Sequence, residues 1–285
     1  MRVCYQLVVY LSFVIGLSCQ ACFAASEPSL LEKKYTVYSF GVVPQFEQRK
    51  SFHIWQPILI ELEKRTGFKF ALKGSSKIPD FEDSFMVGDF DIAYMNPYHI
   101  VSASNIQGYV PLVRDGGRTL NGVLVVRRDS GIENISELEG KTIAFPSPNA
   151  LGASLLIRAE LKKQFDIKFN AKYVQTHSSV YYHVFKKLVD AGGGVVQTLE
   201  SQKAPINSQL KILYKTASMS PHPIAAHPRV PIEHQIRIKE ALLSLESEEN
   251  GRYLLAKVPI KRMISASMTD YQNIMGWGLG QFYIP

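Results

Sequence analysis

The sequence predicts an α/β protein of two lobes, each a mainly parallel sheet flanked by helices, with two strands crossing between the lobes as a hinge. Three observations lead there. From Lys34 onward, short β-rich runs alternate with runs of helical hydrophobic period. The alternation falls into two successive blocks, and strands joined through helices make parallel sheets. A late extended stretch, "SPHPIAAHP", breaks the second block and offers a route back to the first. On this reading lobe one is 34–120 plus 228–285, and lobe two is 121–227. A cleft between lobes joined this way is where a ligand binds.

The elements follow in order. "YTVYSFG" reads as a strand and "SFHIWQPILIELEKRTG" as a helix stopped by Gly67. Strand "FKFALKG", helix "IPDFEDSFMVG", strand "FDIAYM", helix "PYHIVSASN" and strand "YVPLVRD" complete the first block. In the second, "NGVLVVRRD" is a strand, "ISELEGKTIAF" a short helix and strand, and "NALGASLLIRAELKKQF" a helix. Strand "AKYVQT", helix "SSVYYHVFKKLVDAG", the buried strand end "GGVVQT" and strand "LKILYKT" follow. The last part, "VPIEHQIRIKEALLSLESEENGRYLLAK", reads as helical and is followed by a short helix, "TDYQNIMGWG".

Residues 1–24 have one Arg, an apolar run and small residues ending at Ala24, the layout of a secretory signal peptide. The alternatives are an uncleaved membrane anchor or a lipid anchor. An exported, periplasmic protein is expected. All three cysteines (Cys4, Cys19, Cys22) fall in this segment, so the remainder has neither disulfide nor thiolate chemistry. Net charge is +7 from 32 basic and 25 acidic residues. Loss of Arg2 leaves 31 against 25, or +6. The bases are scattered rather than striped, which argues against nucleic acid but suits attraction of a small anion.

One stretch carries the chemistry. In "FPSPNALGAS", Ser147 followed by Pro148 suits a helix N-cap with proline at the first helical position. The N–H groups of Asn149, Ala150, Leu151 and Gly152 would then be unpaired at the positive end of a helix dipole, an anion site that needs no positive side chain. The plainer alternative is a capped, hydrated helix start. His177, with Ser178 and Ser179, stands at another helix start. In "AYMNPYH", Tyr94, Asn96 and Tyr98 follow a buried strand, where open α/β sheets place ligand loops; core packing and a helix cap are their alternatives. Gln45 is the polar residue of the matching loop after the first strand. Asn121 flanks the proposed crossing.

The ordered set "WQPILIELEKRTG", "GDFDIAYMNPYH", "GYVPLVRDGG", "GVLVVRRDSGI", "ELEGKTIAFPSPNALGASLL", "YVQTHSSVY", "VDAGGGV" and "ILYKTASMSPHPIAAHP" resembles the phosphonate-type substrate-binding proteins of ABC importers over nearly all of the chain after the signal. The resemblance implies a periplasmic-binding-protein fold of the second type that closes on phosphonate, phosphite or phosphate. It implies an inner-membrane permease as partner, or alternatively a membrane histidine kinase or chemoreceptor. His177 matches a family histidine that contacts the anion. Asn149, Ala150 and Leu151 stand where the family carries hydroxyls before Gly152. His222 stands where the family, near this return strand, carries an acidic residue that holds the ammonium of aminoalkylphosphonates, so a ligand without a cationic tail is expected.

No cofactor or metal is expected, and a monomer is. An enzyme on this fold is the remote alternative: "THSSVYYH" has no carboxylate nearby, there is no Gly-x-Ser-x-Gly turn, no histidines form an H-E-x-x-H pair, and His222 and His227, five apart in an extended Pro-flanked segment, are poor evidence for a metal.

Overall fold

The computed structural model describes residues 35–284. The expected signal peptide and the three cysteines lie outside the described residues. The first block forms β1 (Val37–Val42), α1 (Gln48–Thr66), β2 (Lys69–Gly74), α2 (Ile78–Met86), β3 (Ile92–Tyr94), α3 (Pro97–Gln107) and β4 (Val110–Asp115). α1 buries Ile54, Ile58, Leu59 and Leu62 along one stripe, and Gly67 ends it in the left-handed region at φ 71°, its N–H donating to Glu63 O at 2.9 Å.

The second block forms β5 (Gly122–Arg127), β6 (Thr142–Phe145), α4 (Leu156–Phe165), β7 (Asn170–Tyr173), α5 (His177–Phe185), β8 (Ala191–Val195), α6 (Val196–Glu200), α7 (Ile206–Gln209) and β9 (Leu210–Lys215). Its strands β5, β6 and β8 are buried on both faces, whereas β7 at the edge is exposed. Leu124 and Val126 of β5 enter a core with Ile157 and Leu161, whereas Val123 and Val125 enter another with Val180, Tyr181 and Val184. That is the period-two division of a sheet covered on both sides.

The chain then returns through β10 (Ile224–Ala226), α8 (Ile232–Ser244), α9 (Glu249–Lys257), β11 (Met263–Ser265) and α10 (Gln272–Gly276). The first sheet runs β11-β4-β10-β3-β1-β2 and the second β7-β6-β8-β5-β9. Both are mixed but mainly parallel in direction: four strands of each sheet run one way, with β10 and β11 opposed in the first and β5 in the second. β10 pairs antiparallel with β3 and β4, and β5 pairs antiparallel with β8 and β9. The reason is topological: β5 and β10 bring the chain in from the other lobe, so they enter without a helical crossover on the same sheet.

Two further differences matter. β10 belongs to the first sheet, although the sequence reading kept residues to 227 with the second lobe. β11 is an edge strand in the stretch between the two runs read as helical, to which the sequence reading assigned no element. The two crossing segments pair with each other at one point. Leu120 N–H donates to Met219 O at 2.8 Å and Met219 N–H to Leu120 O at 3.0 Å.

Candidate functional site

The stretch after β6 starts its helix later than the sequence suggests. Ala150, at φ −65° and ψ 100°, precedes a single π-turn, Leu151–Leu155, that leads into α4. The Ala150 carbonyl accepts from both Ser154 N, at 2.8 Å, and Leu155 N, at 3.1 Å. The N–H groups of Leu151, Gly152 and Ala153 have no acceptor among the described residues. Ser147 does not cap this helix; it is buried and its Oγ has no hydrogen-bond partner. The Asn149 side chain is also taken, bonding the backbone of Ile284 and approaching Glu82.

Glycines let this turn lie directly on the second sheet. A Cβ on Gly193 would stand 2.1 Å from Ala153 O, and one on Gly122 would stand 2.0 Å from Gly152 O. The run "AGGGV" is thus a strand stripped of side chains where another backbone must approach.

His177 opens α5, whose N-cap is Thr176; the Thr176 Oγ1 accepts Ser179 N–H. The imidazole is buried, with Nδ1 3.0 Å from Thr198 Oγ1 and no partner on Nε2 among the described residues. Thr198 is itself fixed, donating to Val195 O and lying 2.8 Å from Tyr181 Oη. Burial pushes the His177 pKa down to about 4. His222 comes from the crossing segment. Its ring stacks on Tyr94, with centroids 5.3 Å apart, and its Nε2 accepts from Gln45 Nε2 at 3.2 Å. Burial, then the proximity of His177 and His99, lowers its pKa to about 3. Both rings are therefore neutral near pH 7, each able to offer one N–H or one lone pair.

These groups converge. Gln45, Ile78 and Asn96 from the first lobe, Ala150–Ala153, His177 and Val195 from the second, and His222 between them line a tight space with a free volume of about 10 Å³, room for about one water. No Lys, Arg, Asp or Glu lines it. An adjoining space of about 20 Å³ shares Gln45, Val195 and His222 and adds Tyr94, Asp115 and Thr198. A wider depression of about 380 Å³ on the first lobe, with Pro44, Arg49, Phe52 and Leu72, has no such convergence of buried polar groups. The geometry of the small space offers hydrogen-bond donors in a low-dielectric setting, with no formal charge to neutralise an anion.

The sequence candidates divide. Ala150, Leu151, Gly152, His177, His222 and Asn96 meet at the small space, and Tyr94 at its neighbour. Asn96 is chiefly a cap, its Oδ1 accepting Tyr98 N and His99 N at 2.8 Å each. Tyr94 is buried, which raises its pKa well above the usual tyrosine value. Tyr98 packs instead near Tyr283, centroids 6.0 Å apart. Asn121 ties the crossing segments, donating to Thr216 O and Ser218 Oγ. Ser178 and Ser179 lie off the small space, and Ser179 serves the Thr176 cap. Ala153, Ile78 and Val195 escaped the sequence reading because an apolar or backbone contributor has no motif of its own.

The model of the family described as periplasmic substrate-binding protein of phosphonate ABC transporters matches residues 40–271. Among solved structures, the chain is similar to PhnD1 from Prochlorococcus marinus in complex with methylphosphonate. The TM-score is 0.79 at 18% identity, covering 87% of this chain and 99% of that one. It is also similar to a binding protein component of an ABC phosphonate transporter from Pseudomonas aeruginosa, with TM-score 0.76, 15% identity and 86% of each chain covered. A protein from Xanthomonas citri bound to ATP matches at TM-score 0.68 and 17% identity, covering 87% and 98%. At these identities the structural likenesses speak for the two-lobed fold.

Proposed function

The chain belongs to the family of periplasmic substrate-binding proteins of phosphonate ABC transporters, and from that premise we propose that it holds a small phosphorus oxyanion between its lobes. The carrying observation is that Leu151, Gly152 and Ala153, whose N–H groups have no acceptor among the described residues, line the same buried space as His177 and His222. N–H groups at a helix start favour an anion without a basic side chain. Each hydrogen bond to the anion contributes about 1.5–3 kcal/mol, so four of them support micromolar binding after ordering costs of several kcal/mol.

In this reading the protein binds and releases its ligand without chemistry upon it. Gln45 and the two neutral histidines orient the anion, and the absence of a lining carboxylate selects against an ammonium tail. Residues 35–115 with 224–284 move as one lobe, 122–215 as the other, about the crossing segments. The chain acts as a monomer that delivers the ligand to a membrane permease, after export and removal of residues 1–24.

A thermal-shift panel of phosphate, phosphite, methylphosphonate, aminoethylphosphonate, sulfate and small carboxylates tests this. A ligand at a hundred times its Kd adds about 2.7 kcal/mol to stability, a shift of several degrees. Methylphosphonate, phosphite or phosphate should produce it and aminoethylphosphonate should not. A panel without any response from a phosphorus oxyanion would sink the reading.

A further inference from the structure

After α10 the chain leaves the first lobe. α10 packs on α3, Gly278 turns the backbone at φ 60° and ψ 40°, and a 3₁₀ turn, Leu279–Phe282, lies against α4 of the second lobe. Three polar side chains of the second lobe meet this segment. Lys163 Nζ donates to Trp277 O at 3.1 Å. Arg158 Nη2 donates to Phe282 O at 2.6 Å and to Pro148 O at 2.9 Å. Asn149 closes a two-bond pair on one residue, its Nδ2 donating to Ile284 O at 2.7 Å and its Oδ1 accepting Ile284 N–H at 3.1 Å. From the first lobe, Glu82 Oε2 accepts a longer bond from the same Asn149 Nδ2, at 3.3 Å.

We propose that residues 277–284 form a strap between the lobes, latched by Asn149 and Arg158, and that Asn149 is a positioning residue that sets how long the cleft stays closed rather than a ligand contact. The proposal rests on the reading of the cleft as an anion site that shuts by lobe movement. Asn149 is buried, and its amide is saturated by Ile284 and Glu82, so little of it is left for a ligand. It directly precedes Ala150, whose carbonyl anchors the turn that bears the free N–H groups. Arg158 clasps the same turn at Pro148, so strap and anion turn share both fasteners.

The seam is also built to part. A space of about 220 Å³ remains between α4 and the strap, bounded by Leu156, Glu160, Trp277 and Leu279. Its fastenings are hydrogen bonds to backbone N–H and carbonyl groups, which water can replace when the lobes separate. A strap of this kind favours the closed state with or without ligand, and so acts on the opening rate.

The test uses Asn149→Ala, Arg158→Ala and a chain ending at Gln281, which removes Phe282 and Ile284 but keeps the buried Leu279. Small-angle X-ray scattering on ligand-free protein should give a larger radius of gyration for all three than for the wild type. With the oxyanion found to bind the wild type, stopped-flow tryptophan fluorescence should show dissociation faster by about tenfold and association within about twofold. An unchanged radius together with unchanged dissociation would overturn the strap. Faster dissociation of Asn149→Ala at an unchanged ligand-free radius would also overturn it, by making Asn149 a ligand contact. Failure of every oxyanion to bind the wild type would instead tell against the anion reading, and scattering alone would then decide the strap. Circular dichroism checks the fold; if the truncated chain is unfolded, the two point variants decide.

Discussion

His177 and His222 sit in the cleft as neutral rings, because burial makes a lone imidazolium costly there. A neutral imidazole still donates one hydrogen bond, and a bound anion beside it would favour the protonated form. Acid stability follows with a definite sign. An unfolded histidine titrates near pH 6.5, whereas His177 in the fold titrates at about 4. Between those values the unfolded chain holds the extra proton, so stability rises with pH through the window and is lost as pH falls from 6.5 toward 4, by about 3 kcal/mol for this group. His177→Ala should therefore weaken oxyanion binding more than tenfold by calorimetry, and flatten the fall of the ligand-free Tm across that window. Unchanged affinity would remove His177 from the site. The histidine was legible in "THSSVYYH" because a polar turn before a helix marks it. The partnership of His222 with Gln45 was not, since 177 residues separate them.

At the scale of elements, the anion turn depends on strands it does not belong to. β8 carries three glycines in succession, and the middle one meets the carbonyl of Ala153. Gly193→Ala puts a methyl group 2.1 Å from that oxygen, so the turn must lift off the sheet. Overpacking of this kind costs about 1–3 kcal/mol. The expected result is a Tm lower by several degrees together with loss of oxyanion binding; a variant with normal Tm and affinity would show that the turn does not rest on β8. From the sequence, "DAGGGV" reads only as a weak strand end, and a helix start at Ser147-Pro148 is the natural inference from capping rules. The late π-turn start became visible only with Asn149 held by Ile284, a contact that no local propensity encodes.

For the whole molecule, the decisive feature is that β5 and β10 each enter a sheet from the other lobe, while the segments leading to them pair at Leu120 and Met219. Two short connections, one backbone bridge and the Asn121 contacts restrain sliding and leave rotation as the easy motion. Addition of a binding oxyanion should shrink the radius of gyration in scattering, with the change abolished in a His177→Ala sample at the same ligand concentration. An identical radius with and without ligand would mean that the lobes do not move on binding.

By itself the sequence determined the α/β alternation, the division into two blocks, the helix stop at Gly67, and the turn after β6 as the place to look. Periodicity and capping are local, so they survive in one dimension. Tertiary structure alone decided the mixed strand directions, the transfer of β10 and β11 to the first sheet, the occupation of Asn149 by the 277–284 segment, and the meeting of Gln45, His177 and His222 in one space. Each of those is a contact between distant segments, made by backbone groups or by side chains whose partners no spacing rule names.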